Sequence, residues 1–188
     1  VSQREAADQM EAYMYLVNSD GKMPVFMSIR KENLQGWSEW STEGNFKNVV
    51  VVNRKVYCIC ERTIDSSTFT SLELLDNEYH TDCAIKDTDV TAKTNWTVAH
   101  MPNTTVVVKS DNYSMGTYTT DASGNFTLTA AVDNIEVGLS YTPQLVTLPP
   151  EFQLPDGISF GQKRRVVRAV LDLNETLNVQ TKGTTLLI

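Results

Sequence analysis

The stretch from Gly36 to Asp76 constrains the fold more than any other part of the chain. Gly36-Trp37-Ser38-Glu39-Trp40 is followed by the long run Val49 to Arg62, and then by Leu72-Glu73-Leu74-Leu75-Asp76. Short apolar strands here alternate with polar turns at nearly even spacing. One blade of a β-propeller, or a comparable small antiparallel sheet, is written in this way. The class this predicts is all-β.

At 188 residues the chain holds one large domain or two small ones. Its charged fraction of 21% is ordinary and its hydrophobic fraction of 41% suffices for real cores, which excludes wholesale disorder. The formal net charge is -7. Proteins that grip nucleic acid do so mainly with Lys and Arg on phosphate, so tight DNA binding is disfavoured. An acidic wall that DNA slides past remains compatible with this charge. No apolar run approaches the ~20 residues that cross a bilayer, and the polar segment Val1–Ala12 has no signal-peptide core. The sequence begins without Met and stops inside an apolar pattern, Thr184 to Ile188, which predicts a piece of a longer chain.

The pattern predicts a helical or frayed lead-in over 1–12 and a strand over 13–18. A tight turn at Ser19-Asp20-Gly21-Lys22 leads to a returning strand over 24–30. A loop is expected over 33–36. Trp37 and Trp40 stand three apart, which predicts a bulge or bend between them. Residues 47–53 and 55–62 read as a hairpin around Asn53-Arg54, followed by a loop over 63–67 and a strand over 68–75. From 82 to 137 the chain is rich in Thr, Asn, Asp and Ser. Segments 105–109, 115–119, 126–130 and 134–137 are separated by Asp111-Asn112, Asp121–Gly124 and Asp133-Asn134. This reads as a small β-barrel or sandwich. The expected organisation is a blade-like sheet domain over 1–80 and 138–188, with 81–137 inserted in it. Four prolines between Tyr141 and Pro155 predict an extended connector. The last strand is expected over 161–173, with Arg164, Val166, Arg168 and Val170 on one face, and Arg165, Val167, Ala169, Leu171 and Leu173 on the other.

Candidate chemistry is sparse. Cys58, Cys60, Cys83 and His80 could be drawn as a zinc site, but metal sites wrap the ion with Cys-x2-4-Cys pairs. Cys58 and Cys60 lie two apart on one strand face, which favours small buried hydrophobes over metal ligands and over a disulfide. A reducing compartment fits that usage. His80 and His100 lie in no nucleophile elbow and no His-Glu-x-x-His, so structural roles are expected for both. The acid pairs Asp87/Asp89 and Asp76/Glu78 read as solvated loop acids. Five Asn-x-Ser/Thr triplets, at Asn95, Asn103, Asn112, Asn125 and Asn174, are what an Asn- and Thr-rich composition produces. Lys163, Arg164, Arg165 and Arg168 form a basic run, read as a strand edge or as a subunit or DNA-channel contact. No catalytic, cofactor-binding or metal-binding residue is assigned.

An ordered series of motifs resembles the tail tubular protein B, or nozzle, proteins of short-tailed bacteriophages. Gly36–Trp40, Phe46–Tyr57, Glu61-Arg62 and Leu72–Asp76 are the blade-like part. Tyr79-His80-Thr81-Asp82-Cys83 looks like the segment that follows it. Val98–Met101 through Thr105–Val108 looks like the entry to an inserted β-domain, and Glu136–Tyr141 with Leu148-Pro149 like the return. Lys163–Arg168 and Leu171 look like the next strand. Together these span roughly 13–175. The match is poorest over Trp96–Pro102, so the resemblance says least about the inserted domain. The resemblance implies a non-enzymatic ring protein of the virion tail, with six copies in the family, that contacts adaptor and tail proteins. It also implies a channel that retains packaged genomic DNA and conducts it into the host, with no cofactor and no membrane insertion. The acidic balance suits a channel that does not hold phosphates. The rival reading is an extracellular β-sandwich that recognises a glycan or cell-surface receptor by stacking Trp37, Trp40 or Trp96 on sugar rings. A hydrolase ranks behind both.

Overall fold

The computed structural model describes residues 2–4, 11–144, 153–154, 157–158, 170, 179–181 and 184–186. The chain divides into two compact units, Val1–Tyr141 and Thr142–Ile188. It is all-β: among the described residues the sheets are antiparallel, none closes into a barrel, and the helical content is a single 3-10 turn at Arg30–Glu32.

Among its described residues the first unit holds eleven strands: β1 Ser2–Arg4, β2 Glu11–Tyr15, β3 Met23–Ile29, β4 Leu34–Trp40, β5 Asn45–Val52, β6 Lys55–Ile64, β7 Ser67–Leu75, β8 Asp82–Thr97, β9 Thr105–Ser110, β10 Tyr113–Thr119 and β11 Asn125–Leu139. They form a four-stranded sheet β1-β2-β3-β4, a three-stranded sheet β5-β6-β7 and a second four-stranded sheet in the order β10-β9-β11-β8. In the second unit, β12 (Gln153–Leu154) pairs with β13 (Gly157–Ile158), and β14 (Val179–Thr181) with β15 (Thr184–Leu186).

Alternation builds the first core. Along β6, Val56, Cys58, Cys60, Arg62 and Ile64 point inward and the residues between them point out. With Phe46 and Val49 of β5, the first three pack against Tyr15, Met23 and Val25 of the opposing sheet. Two sheets covering a shared apolar layer make a sandwich. The second core lies on the β8–β11 sheet and comprises Trp96, Val106, Val108, Phe126, Leu128, Ile135 and Val137, with Val98 and Met101 from the loop that follows β8. Ile64, at the end of β6, is buried in that core, so β6 contributes to both layers.

Hairpin chemistry sets the register of the three-stranded sheet. Asn53 and Arg54 both have positive φ (48° and 65°), and so do Asp65 and Ser66 (48° and 62°). Each pair is a two-residue turn whose twist matches that of the flanking strands. The expected loop over 63–67 is therefore only these two residues, because β6 and β7 continue their ladder from Val56↔Leu75 to Ile64↔Ser67.

Four further expectations are corrected. Residues 2–4 and 11–12, expected in a helical or frayed lead-in, belong to β1 and β2. Residues 34–36, expected as a loop, belong to β4, which pairs with β3 without a register shift. No bulge separates Trp37 from Trp40; an odd spacing on a regular strand places them on opposite faces. Trp40 packs toward Tyr15, and Trp37 lies on Phe26 with ring centroids 5.0 Å apart. Finally, Asp133-Asn134 is not a turn but lies within β11, next to its register shifts against β8.

Candidate functional site

Two charged clusters flank the linker 76–81, which joins the three-stranded sheet to the second four-stranded sheet. The first is built on Arg62. Its position on β6 is in phase with Cys58, Cys60 and Ile64, so the strand carries a guanidinium inward, where it is 1% exposed. A buried cation is tolerated only when paired and fully hydrogen-bonded. Arg62 Nε and Nη2 donate to the two oxygens of Glu73, each at 2.6 Å, in a fork-to-fork pair. Nη2 and Nη1 also donate to Asp82 Oδ1 and Oδ2 at 2.8 and 3.1 Å, and Nη1 donates to the Glu43 carbonyl. Asp82 Oδ2 further accepts from Thr42 Oγ1 and the Glu43 amide, and Ser71 Oγ donates to Glu73. Burial works against ionisation of both acids, but hydrogen bonds from Arg62, helped by Ser71 at Glu73 and by Thr42 at Asp82, hold both carboxyls below their ordinary range. Burial likewise opposes the charge on Arg62, and the two carboxylates override it and raise its pKa. The network binds β6, β7, the start of β8 and the segment before β5 to one point.

The second cluster is built on Glu136. In register it stands between Lys86 of β8 and Lys109 of β9, so the row Lys86–Glu136–Lys109 crosses the sheet on one face. The linker residues 78–81 lie over this row. The Glu78 carbonyl accepts from Lys86 Nζ at 2.8 Å, and that ammonium sits 4.3 Å from the Tyr79 ring centre. The amides of His80 and Thr81 and the Thr81 hydroxyl all donate to Glu136 Oε1. His80 Nδ1 is 3.1 Å from Lys109 Nζ and 3.5 Å from Glu136 Oε2. Glu136 is 4% exposed, and Oε2 is the buried side-chain polar atom left without a hydrogen bond among the described residues. Two positions along the same face is Gly138. A Cβ there would lie 2.6 Å from the Asp82 carbonyl and from Thr81 Oγ1, so only glycine lets the strap lie flat.

The residues drawn as a zinc site are not gathered. Cys58 and Cys60 are in the sandwich core, Cys83 packs against the second core, and His80 is 44% exposed at its side chain. Burial pushes the three thiols up to about 11, 12 and 12 respectively, which keeps them protonated and unreactive at neutral pH. Among the described residues no group of three or more His, Cys, Asp or Glu is placed to hold a metal ion. His100 Nε2 lies 3.1 Å from the Cys83 carbonyl. Three of the sequon asparagines, Asn95, Asn103 and Asn125, make side-chain hydrogen bonds to Thr127, Asp65 and Thr97. Lys163, Arg164, Arg165 and Arg168, together with the strand expected over 161–173, lie outside the described residues, apart from Val170.

Sequence reasoning passed over both clusters, since Arg62 and Asp82 are 20 residues apart and Glu136 and His80 are 56. One signal was available for Arg62, a charge in phase with an inward-facing apolar series. No protein-family model matches the chain, and no curated protein matches it significantly.

Proposed function

We propose that the chain is a structural component of a bacteriophage tail, a subunit of a nozzle ring that retains packaged DNA and conducts it during ejection. The ordered motif series over 13–175 motivates the reading. One structural observation supports it: the outer face of the three-stranded sheet exposes Val50, Val52, Ile59, Leu72 and Leu74. Their register makes them neighbours, with Val50 opposite Tyr57, Tyr57 opposite Leu74, and Ile59 opposite Leu72. Monomeric proteins rarely leave such a contiguous face in water, and a neighbouring copy in a ring would cover it. Negative-stain imaging of the chain assembled with its neighbouring virion proteins tests the reading. Sixfold rings are the expected result, and dispersed single particles at every stoichiometry would count against it.

A specific observation keeps the glycan-binding alternative in view. Trp37 is 59% exposed beside Phe26, an aromatic platform on the outer face of β3 and β4. Trp96 and Trp40 lend it little, since Trp96 is buried and Trp40 packs inward. Retention on a glycan array that is lost in Trp37→Ala would favour that alternative over assembly.

A further inference from the structure

One atom of the linker, His80 Nδ1, faces two groups with opposite demands. Lys109 Nζ, 3.1 Å away, can only donate to it. Glu136 Oε2, 3.5 Å away and lacking any hydrogen bond, can only accept while ionised. A bare Nδ1 serves the lysine and leaves Oε2 orphaned. A protonated Nδ1 serves Oε2 and must release the lysine, because two donors cannot share the contact.

We propose that His80 is a proton-operated toggle, which exchanges Lys109 for Glu136 as its partner and so tightens the 78–81 strap over the second four-stranded sheet on acidification. The exchange is a proton transfer from solvent to the ring; the Lys109 hydrogen bond is given up, one to Glu136 Oε2 is formed, and no other covalent bond changes. The charged groups around the ring belong to three strands and to the linker itself. Glu136 of β11 gains a second donor, and Lys109 of β9 is repelled by the imidazolium. Lys86 of β8 stays on the Glu78 carbonyl and the Tyr79 ring, one register position away on the far side of Glu136. Glu78 and Asp82 lie two residues to either side of His80 in the sequence, and Asp82 is already committed to Arg62.

The geometry gives the toggle leverage. Glu136 Oε1 already holds the His80 and Thr81 amides, so a second bond to Oε2 closes the same carboxylate onto the same two residues. Gly138 keeps the strap in contact at its other end. The linker is also the covalent connection between two sheets that the Arg62 network and Ile64 already hold together, so the toggle adds to that hold locally, at residues 78–81. The proposal stands independently of the assembly reading, because it concerns a contact within one chain.

Two measurements on the intact chain between pH 5 and 8, the span in which histidines ordinarily change charge, test it. The first is the 15N spectrum of the His80 ring, which distinguishes a bare from a protonated Nδ1. The second is hydrogen exchange at the His80 and Thr81 amides, corrected for intrinsic rates. Protection should rise about threefold toward acid, the scale of a half-exposed ion pair. His80→Gln should abolish that rise. Lys109→Met should hold protection at its high level across the range, because the neutral ring is then free to donate from Nδ1 to Glu136. His80 is exposed and Lys109 half-buried, and an unchanged far-ultraviolet circular dichroism spectrum establishes that each variant is folded before exchange is read. A pH dependence that survives in both variants, or an Nδ1 that stays bare at pH 5, would overturn the toggle.

Discussion

Arg62 carries a large single-residue stake in the fold. Replacing it with Met leaves Glu73 and Asp82, 22% and 18% exposed, as part-buried, mutually repelling carboxylates, so the cost lies toward the lower end of the about 3–5 kcal/mol for breaking a buried pair from one side. Chemical denaturation of Arg62→Met should show a loss of that order. The pH dependence has a definite sign. Both carboxyls are held below their ordinary values in the folded state. Their contribution is therefore complete above the ordinary carboxylate range, around pH 4, and is lost as pH falls through the depressed folded values. Acid unfolding should accordingly set in below about pH 4, and Asp82→Asn should flatten that limb of the stability profile. An unchanged profile would remove the network from the account. Glu136 and Gly138, like His80 and Thr81, fall within motif segments, but the task of Glu136 and Gly138 is not legible there. It depends on a linker 56 residues away folding over them.

At the scale of elements, turn residues decide more than propensity. Ser66 sits at φ 62°, in the left-handed region that costs a non-glycine residue roughly 1–2 kcal/mol. Ser66→Gly should therefore raise stability by about 0.5–1 kcal/mol after the entropy glycine adds to the unfolded chain, read as a higher thermal midpoint. A lower midpoint would show that Ser66 makes a contact worth more than its strain. The strands easiest to read were β5, β6 and β7: β6 alternates cleanly because one face is buried, whereas β5 carries a bulge between Phe46 and Asn48 and β7 alternates only between half-buried and exposed positions. β4 hid behind Gly36 and a largely exposed face. β8 was not read as a strand at all. Its sixteen residues are mostly exposed, and Thr, Asp and Lys mask the period that burial would impose. β11 looked like two segments because Asp133-Asn134 reads as a turn, whereas the long strand absorbs that pair at an irregular stretch of its pairing with β8.

For the whole molecule, charge and surface point the same way. With a net charge of -7, the chain should show no measurable retention of duplex DNA at physiological salt in a filter-binding assay, as a channel that passes DNA requires. Tight binding would argue for a gripping role instead. The apolar outer face of β5-β6-β7 carries the rest of the claim. Leu72 is 71% exposed and Leu74 lies beside it on the same edge strand, so lysines there should leave the fold intact and block packing by a neighbour. The most direct measurement is sedimentation velocity of the wild-type chain and of Leu72→Lys/Leu74→Lys, each mixed with the adjoining tail proteins. The expected result is a ring-sized species for the wild type and a folded monomer for the variant. A wild type that stays monomeric, or a variant that assembles equally well, would contradict the assembly role.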